Sequence, residues 1–308
     1  MNLLITGAWA DAKAHIGELE AMGHSVVFMQ QEKDELPCDP DLVQGVICNG
    51  LFLYHPISEF ENLRFIQLTS AGFDRVDMDY VRAHGIKIHN ARGVYSIPMA
   101  EFAVSGVLQL YKQARFFREN QKEHRWEKHR GLMELYGKNV TVVGCGSVGT
   151  ECAKRFSAFG CRVTGVDIAV REDEAYEEMF PLEKLDELLP RTDVLVLTVP
   201  LTPETEQLID RRRLGLMSSS AVVVNISRGR VLDEAALCEQ LKDGRLAGAV
   251  LDVFAEEPLP ETSPIWDSPN LIATPHNSFV GEGNGERLAE RIYKGITEFI
   301  GEQHHAAF

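Results

Sequence analysis

The chain predicts an α/β fold built on parallel sheets, and three observations carry the prediction. Apolar, β-branched runs alternate with helix-period segments along most of the 308 residues. Within residues 140–167, a strand enters a glycine turn, a helix and a second strand that ends on Asp167. Several later strands end on polar residues, the place where open α/β sheets bind ligands. The length suffices for two domains with a sizeable core.

In chain order, residues 3–6 read as a first strand rather than a signal peptide, because MNLLITG has no basic region before its apolar residues. Residues 10–22 read as helix, 24–29 and 46–48 as strands, and 64–68 as a fourth strand running into Thr69-Ser70-Ala71-Gly72. The polar stretch 30–40, with Pro37 and Pro40, reads as loop. A short helix over 76–83 leads to a strand at 86–88.

From Pro98 to about Arg125 the pattern predicts one long helix. Pro98 suits its first turn, and Ala100, Ala103, Val104, Val107, Leu108, Leu110 and Tyr111 form a broad apolar surface. Such a helix is a dimer arm, so the 98–125 region is the expected homodimer contact. The basic run over 112–130 reads as a solvated face with no nucleic-acid role. Strands follow at 194–199, 221–225, 247–252 and 271–274, with a helix at 233–242. An amphipathic helix over 286–300 closes the pattern and is placed to cover the N-terminal domain.

Each glycine of Gly144-Cys145-Gly146-Ser147-Val148-Gly149 has a physical reason. Gly144 permits the tight turn, Gly146 lets backbone approach a pyrophosphate, and Gly149 lets helix pack on strand. The free N–H groups of Ser147 and Val148 would face the anion at a helix start. Asp167, eighteen positions beyond Gly149, can take both ribose hydroxyls and repel a 2′-phosphate. NAD is therefore the expected cofactor, with Arg171 as a nearby cation able to bind that phosphate.

The formal charge of −15 argues against nucleic acid or an anionic membrane, and no stretch approaches a membrane span. The six cysteines form no CxxC or zinc spacing and read as reduced thiols of a cytoplasmic protein. Cys145 reads as a small residue filling the glycine turn. No metal site is expected, and His304-His305 reads as part of a solvated polar tail.

Arg228, Glu257 and His276 fall at or just beyond strand ends, and their chemistry is complementary. Arg228 offers a planar cation suited to a carboxylate or a polarised carbonyl oxygen. His276 titrates near neutral pH and can give or take a proton. Glu257 beside it would orient the imidazole and favour its charged form.

Residues 138–149, Asn225-Ile226-Ser227-Arg228-Gly229, Leu251-Asp252-Val253-Phe254-Ala255-Glu256-Glu257-Pro258 and Thr274-Pro275-His276 together resemble the D-isomer-specific 2-hydroxyacid dehydrogenase family, including its glyoxylate/hydroxypyruvate reductases and phosphoglycerate dehydrogenases. Ser70-Ala71-Gly72-Phe73-Asp74 resembles its substrate-carboxylate loop, and 90–101 its crossover into the cofactor domain. The resemblance implies a Rossmann NAD-binding domain at 98–277 inserted into a flavodoxin-like substrate domain at 1–97 and 278–308. It implies hydride transfer between nicotinamide and C2 of a 2-oxo or D-2-hydroxy acid. His276 would be the acid/base, Arg228 the carboxylate and carbonyl clamp, and Glu257 the group orienting His276. Ala71 and Gly72 would donate to the substrate carboxylate, and Leu51 would border the substrate. Asp252 and the Ile226 carbonyl would hold the carboxamide, and Pro200 and Thr205 would border the dinucleotide.

Two departures from the family pattern bear on substrate. The loop Asn49-Gly50-Leu51-Phe52-Leu53-Tyr54-His55 is apolar and aromatic where phosphoglycerate dehydrogenases carry an arginine for the phosphate. That favours an unphosphorylated acid, with Arg92 as a substitute cation if the acid is phosphorylated. Asn277-Ser278-Phe279 stands where many relatives have a glycine-rich turn. The alternatives are a phosphoglycerate dehydrogenase and, less favoured, a non-enzymatic NAD(H)-sensing protein. Formate-oxidising relatives carry Gln where Glu257 stands.

Overall fold

Short apolar strands, the central ones covered on both faces, organise each half of the chain. The computed structural model describes residues 1–306, with side chains through residue 302. His304 and His305 therefore lie outside the described side chains. One compact unit comprises Met1–Tyr95 with the segment from Gly281 onward, and the other Ser96–Val280.

The first unit contains β1 (Asn2–Thr6), α1 (Ala12–Ala21), β2 (Ser25–Met29), β3 (Gly45–Cys48), β4 (Phe65–Leu68), α2 (Met78–Ala83) and β5 (Lys87–His89). All strand pairs are parallel, in the order β2-β1-β3-β4-β5, the flavodoxin-like arrangement. Alternation divides the side chains between the two faces. Leu3, Ile5, Ile47 and Phe65 lie in one core cluster, and Leu4, Val46, Cys48, Ile66 and Leu68 in the other.

The second unit contains α3 (Ser96–Tyr111), α4 (Ala114–Lys122), β6 (Asn139–Val143), α5 (Ser147–Ala158), β7 (Arg162–Val166), β8 (Glu178–Phe180), α6 (Leu185–Leu188), β9 (Val194–Leu197), α7 (Arg211–Leu214), β10 (Val222–Asn225), α8 (Glu234–Lys242), β11 (Gly248–Leu251) and β12 (Leu271–Ala273). Its parallel sheet has the order β12-β11-β10-β9-β6-β7-β8. Counted from β6, that is the dinucleotide-binding order extended by one strand, with the switch point between β6 and β9. Every residue of β9, β10 and β11 is buried, as expected for parallel strands with both faces covered. The last helix, α9 (Asn284–Ala306), belongs to the first unit. Its Leu288, Ala289, Ile292, Ile296 and Phe299 join the first unit's core.

The expected single helix over 98–125 is instead two, α3 and α4. The break has a local cause. The Met133 N–H donates to the Tyr111 carbonyl at 3.1 Å, taking the acceptor that a continued helix would offer Arg115. Gln113 then turns left-handed at φ 54°. Beyond α4 the basic run is irregular rather than helical. β8, an edge strand of three residues, carries no periodic signal in the sequence.

Candidate active site

The glycine turn after β6 closes on contacts that leave no room for side chains. Gly144 has φ +97°, and a Cβ there would lie 2.7 Å from the Val199 nitrogen. At Gly149 a Cβ would lie 2.0 Å from the Gly144 carbonyl oxygen. The Thr198 hydroxyl, unnoticed in the sequence, donates to that same oxygen at 2.6 Å. Gly146 differs, because a Cβ there would meet nothing within 4 Å. Its open side lies at the N-terminus of α5, where Ser147 and Val148 begin the helix. An open backbone face beside unpaired helical N–H groups fits a pyrophosphate.

Asp167 serves the same turn. Its Oδ2 accepts the Cys145 N–H at 2.6 Å and its Oδ1 the Ala169 N–H at 3.1 Å. Arg171 donates to the Cys145 carbonyl and pairs with Asp173 at 3.2 Å. The Cys145 side chain points inward, fully buried, and burial pushes its thiol up to about 11. Thr205 is also inward. Its hydroxyl donates to the Pro200 carbonyl at 2.6 Å and accepts the Thr202 N–H at 2.8 Å, shaping the loop after β9.

Loops after β10, β11 and β12 bring the polar residues together. Asp252 follows β11 and is fully buried. Its carboxylate accepts the Thr274 hydroxyl at 2.6 Å and the N–H groups of Asn277 and Ser278 at 2.7 and 2.9 Å. His276 sits inside the loop so held, at a left-handed φ of +50°. A non-glycine residue in that region is strained and persists where its surroundings hold it. The Nδ1 of His276 lies 2.8 Å from Glu257 Oε2, while Glu257 Oε1 accepts the Phe254 N–H at 2.9 Å. Both side chains stay partly open, at 43% and 36% exposure. With Nδ1 taken by the carboxylate, Nε2 is the nitrogen left to face a ligand, and the Phe279 ring stands edge-on 6.2 Å away.

Arg228 lies exposed on the loop after β10. One guanidinium nitrogen donates to the Ser227 carbonyl at 2.7 Å. Asn225 fixes this loop by donating to the Arg228 carbonyl at 3.0 Å and accepting from the Ser227 hydroxyl at 2.7 Å. A Cβ on Gly229 would fall 1.8 Å from the Phe254 carbonyl carbon, so the arginine loop and the Glu257 turn touch backbone to backbone. Ile226 between them is buried.

In the first unit, Ala71 and Gly72 follow β4. Asn90 donates to the Ala71 carbonyl, and Ala91 N–H to the Ser70 carbonyl at 2.8 Å. Arg92 is exposed. The Leu51 side chain is fully buried in the core, which leaves its backbone as the part that could border a substrate. Leu53 and Tyr54 are the exposed members of that loop. Sequence reading also passed over Glu32, left inside a loop. Its carboxylate accepts the Thr6 hydroxyl and the N–H groups of Asn49 and Gly50, each at 2.7 Å.

Residues 104–278 match a family model described as D-isomer specific 2-hydroxyacid dehydrogenase, NAD binding domain. The chain is 34% identical over 284 residues to a glyoxylate reductase of Korarchaeum cryptofilum, covering 87% of this chain and 85% of that one. It is 35% identical over 252 residues to a D-3-phosphoglycerate dehydrogenase of Methanocaldococcus jannaschii, covering 80% of this chain but about half, 48%, of that longer one. A crystal structure of a D-isomer specific 2-hydroxyacid dehydrogenase family protein from Aeromonas salmonicida superposes with a TM-score of 0.85. That pair shares 28% identity, with 98% of this chain and 96% of that one covered.

Proposed function

Because the chain belongs to the D-isomer specific 2-hydroxyacid dehydrogenase family, we propose that it is an NAD-dependent oxidoreductase acting at C2 of a small 2-oxo or D-2-hydroxy acid. The observation that carries this reading is the 2.8 Å pair between His276 Nδ1 and Glu257, which leaves Nε2 available for a substrate oxygen. NAD, when bound, supplies or accepts the hydride. The open face at Gly146 and the N–H groups of Ser147 and Val148 would hold its pyrophosphate. Gly144 and Gly149 hold the turn that presents them. Asp167 would take the ribose, its two oxygens each retaining acceptor capacity beyond one backbone bond. Pro200 and Thr205 would border the dinucleotide, and the Ile226 carbonyl would meet the carboxamide. We assign Asp252 chiefly to the loop that carries His276, because its carboxylate accepts from Thr274, Asn277 and Ser278.

During reduction, protonated His276 gives its Nε2 proton to the C2 oxygen, and it takes that proton back during oxidation. Glu257 fixes the ring and stabilises the imidazolium. Arg228 holds the carboxylate and polarises the C2 oxygen. We take residues 1–97 and 278–308 as the substrate domain and 98–277 as the cofactor domain.

An unphosphorylated acid fits better than a phosphorylated one. The N–H groups of Asn49 and Gly50, the donors an added anion would seek, already bind the Glu32 carboxylate. We further propose a homodimer through α3, where Val104, Leu108 and Phe159 line an open apolar groove of about 530 Å³; analytical ultracentrifugation reads this directly. Six free cysteines support a reducing, cytoplasmic setting. The function is tested by a panel of 2-oxo acids with NADH absorbance as readout. Turnover of glyoxylate, hydroxypyruvate or a larger 2-oxo acid supports the proposal. Tight NADH binding with no turnover across the panel favours an NAD(H) sensor instead.

A further inference from the structure

A second carboxylate stands behind the His276–Glu257 pair. Glu234 opens α8, and its carboxylate accepts the Ala255 N–H at 2.6 Å. The neighbouring amide, Phe254 N–H, is the one that Glu257 accepts. Two acids therefore grip consecutive amides of one turn, and that turn is pressed against the Arg228 loop at Gly229. Burial pushes the Glu234 carboxyl up, the Ala255 N–H pulls it down, and the charges of Glu257 and Asp233 push it up again. The acids repel, and a cation on Glu257 relieves both. His276, at 2.8 Å, is the ion-pair partner that the structure gives Glu257. Asp233 caps α8 through the Ala236 N–H, and Arg228 precedes the Gly229 that meets the turn.

We infer that Glu234 is a positioning residue for the proton-transferring pair: it fixes the 254–257 turn that aims Glu257 at His276. The positioning stands on geometry alone. Its consequence for turnover rests on the dehydrogenase reading above.

Two variants test the hydrogen bond. Glu234→Gln keeps an oxygen for the Ala255 N–H, whereas Glu234→Ala removes it. The structural probe is the His276 ring signal by NMR in the whole protein, assigned by its disappearance in His276→Asn. We expect that signal to move in Glu234→Ala and to return to the parent position in Glu234→Gln. For 2-oxo acid reduction, Glu234→Ala should lose about tenfold in kcat with KM and NADH affinity near the parent's, and Glu234→Gln should restore most of the loss. A His276 signal in Glu234→Ala that matches the parent's overturns the inference. A moved signal in a protein that reduces no 2-oxo acid upholds the positioning and overturns the dehydrogenase reading instead.

Discussion

Asp252→Asn separates two roles for one carboxylate. If Asp252 served only the cofactor, the protein without cofactor would not feel the change. The structure gives the group three donors: the Thr274 hydroxyl and the Asn277 N–H on Oδ1, and the Ser278 N–H on Oδ2. An asparagine can keep one oxygen in place, facing the two donors on Oδ1. Its NH₂ then faces the Ser278 N–H, donor against donor, in a site with no exposure. Losing one charge-assisted bond and leaving buried donors unpaired costs about 2–3 kcal/mol. For a unit of this size that lowers the melting midpoint by roughly 4–10 °C. The strained loop loosens at the same time, and misplacing the His276 ring by about 1 Å costs on the order of a hundredfold in turnover. The assays are a thermal melt followed by circular dichroism without cofactor, and NADH-linked turnover at saturating cofactor. A cofactor-free melt within about 1 °C of the parent would refute the reasoning, whatever the turnover showed.

His276→Ala, Arg228→Ala and Glu257→Gln should each cut turnover by about 10²–10⁴-fold while NADH fluorescence titrations stay near the parent's; parent-like rates in all three would remove the assigned roles. Asp167→Ala should move the NAD/NADP preference toward NADP, and Arg171→Ala should move it back, measured as the ratio of kcat/KM for the two cofactors; an unmoved ratio in both would count against this end of the site. A pH effect is expected from His89. Burial first, and Arg291 next, hold its imidazole below the ordinary 6.5, with Glu298 opposing. The unfolded chain therefore takes up the proton first. Stability should be unaffected above about pH 6.5 and should decline as pH falls below it toward the depressed native value. His89→Gln should flatten that decline in melts taken between pH 7 and 5; an equal decline in both proteins would assign the acid sensitivity elsewhere.

What the sequence disclosed follows the range of the forces involved. The strands β9, β10 and β11 are continuous apolar runs because both faces are covered, so their pattern is local and readable. Gly144 was readable because left-handed backbone favours glycine. The polar strand ends were readable because a strand must end where its apolar run does. The break between α3 and α4 was not, since it depends on a Met133 amide that returns from twenty-two residues along the chain. The burial of Leu51 was hidden for a related reason: a tight turn after β3 points that one side chain inward while Leu53 and Tyr54 point out. Glu32 and Glu234 look like ordinary acids in polar stretches. Only the fold sets their carboxylates on amides of distant loops.

The cofactor end of the site shows why such second partners matter. Asp167 accepts from the Cys145 N–H and Arg171 donates to the Cys145 carbonyl, so one residue of the glycine turn is held at both ends by the two groups that would judge a 2′-phosphate. Substitution at either site therefore perturbs the turn as well as cofactor choice, and the opposite signs of the two ratio shifts are what report the choice. Asp173 adds a second constraint, because it competes for the Arg171 guanidinium at 3.2 Å. A 2′-phosphate must draw Arg171 away from Asp173 while meeting the charge of Asp167. With the ribose placed as proposed, both terms would act in the same direction and would favour NAD. On that placement Arg171 does not by itself argue for NADP, because its existing partners, the Cys145 carbonyl and Asp173, decide how much of its charge is free.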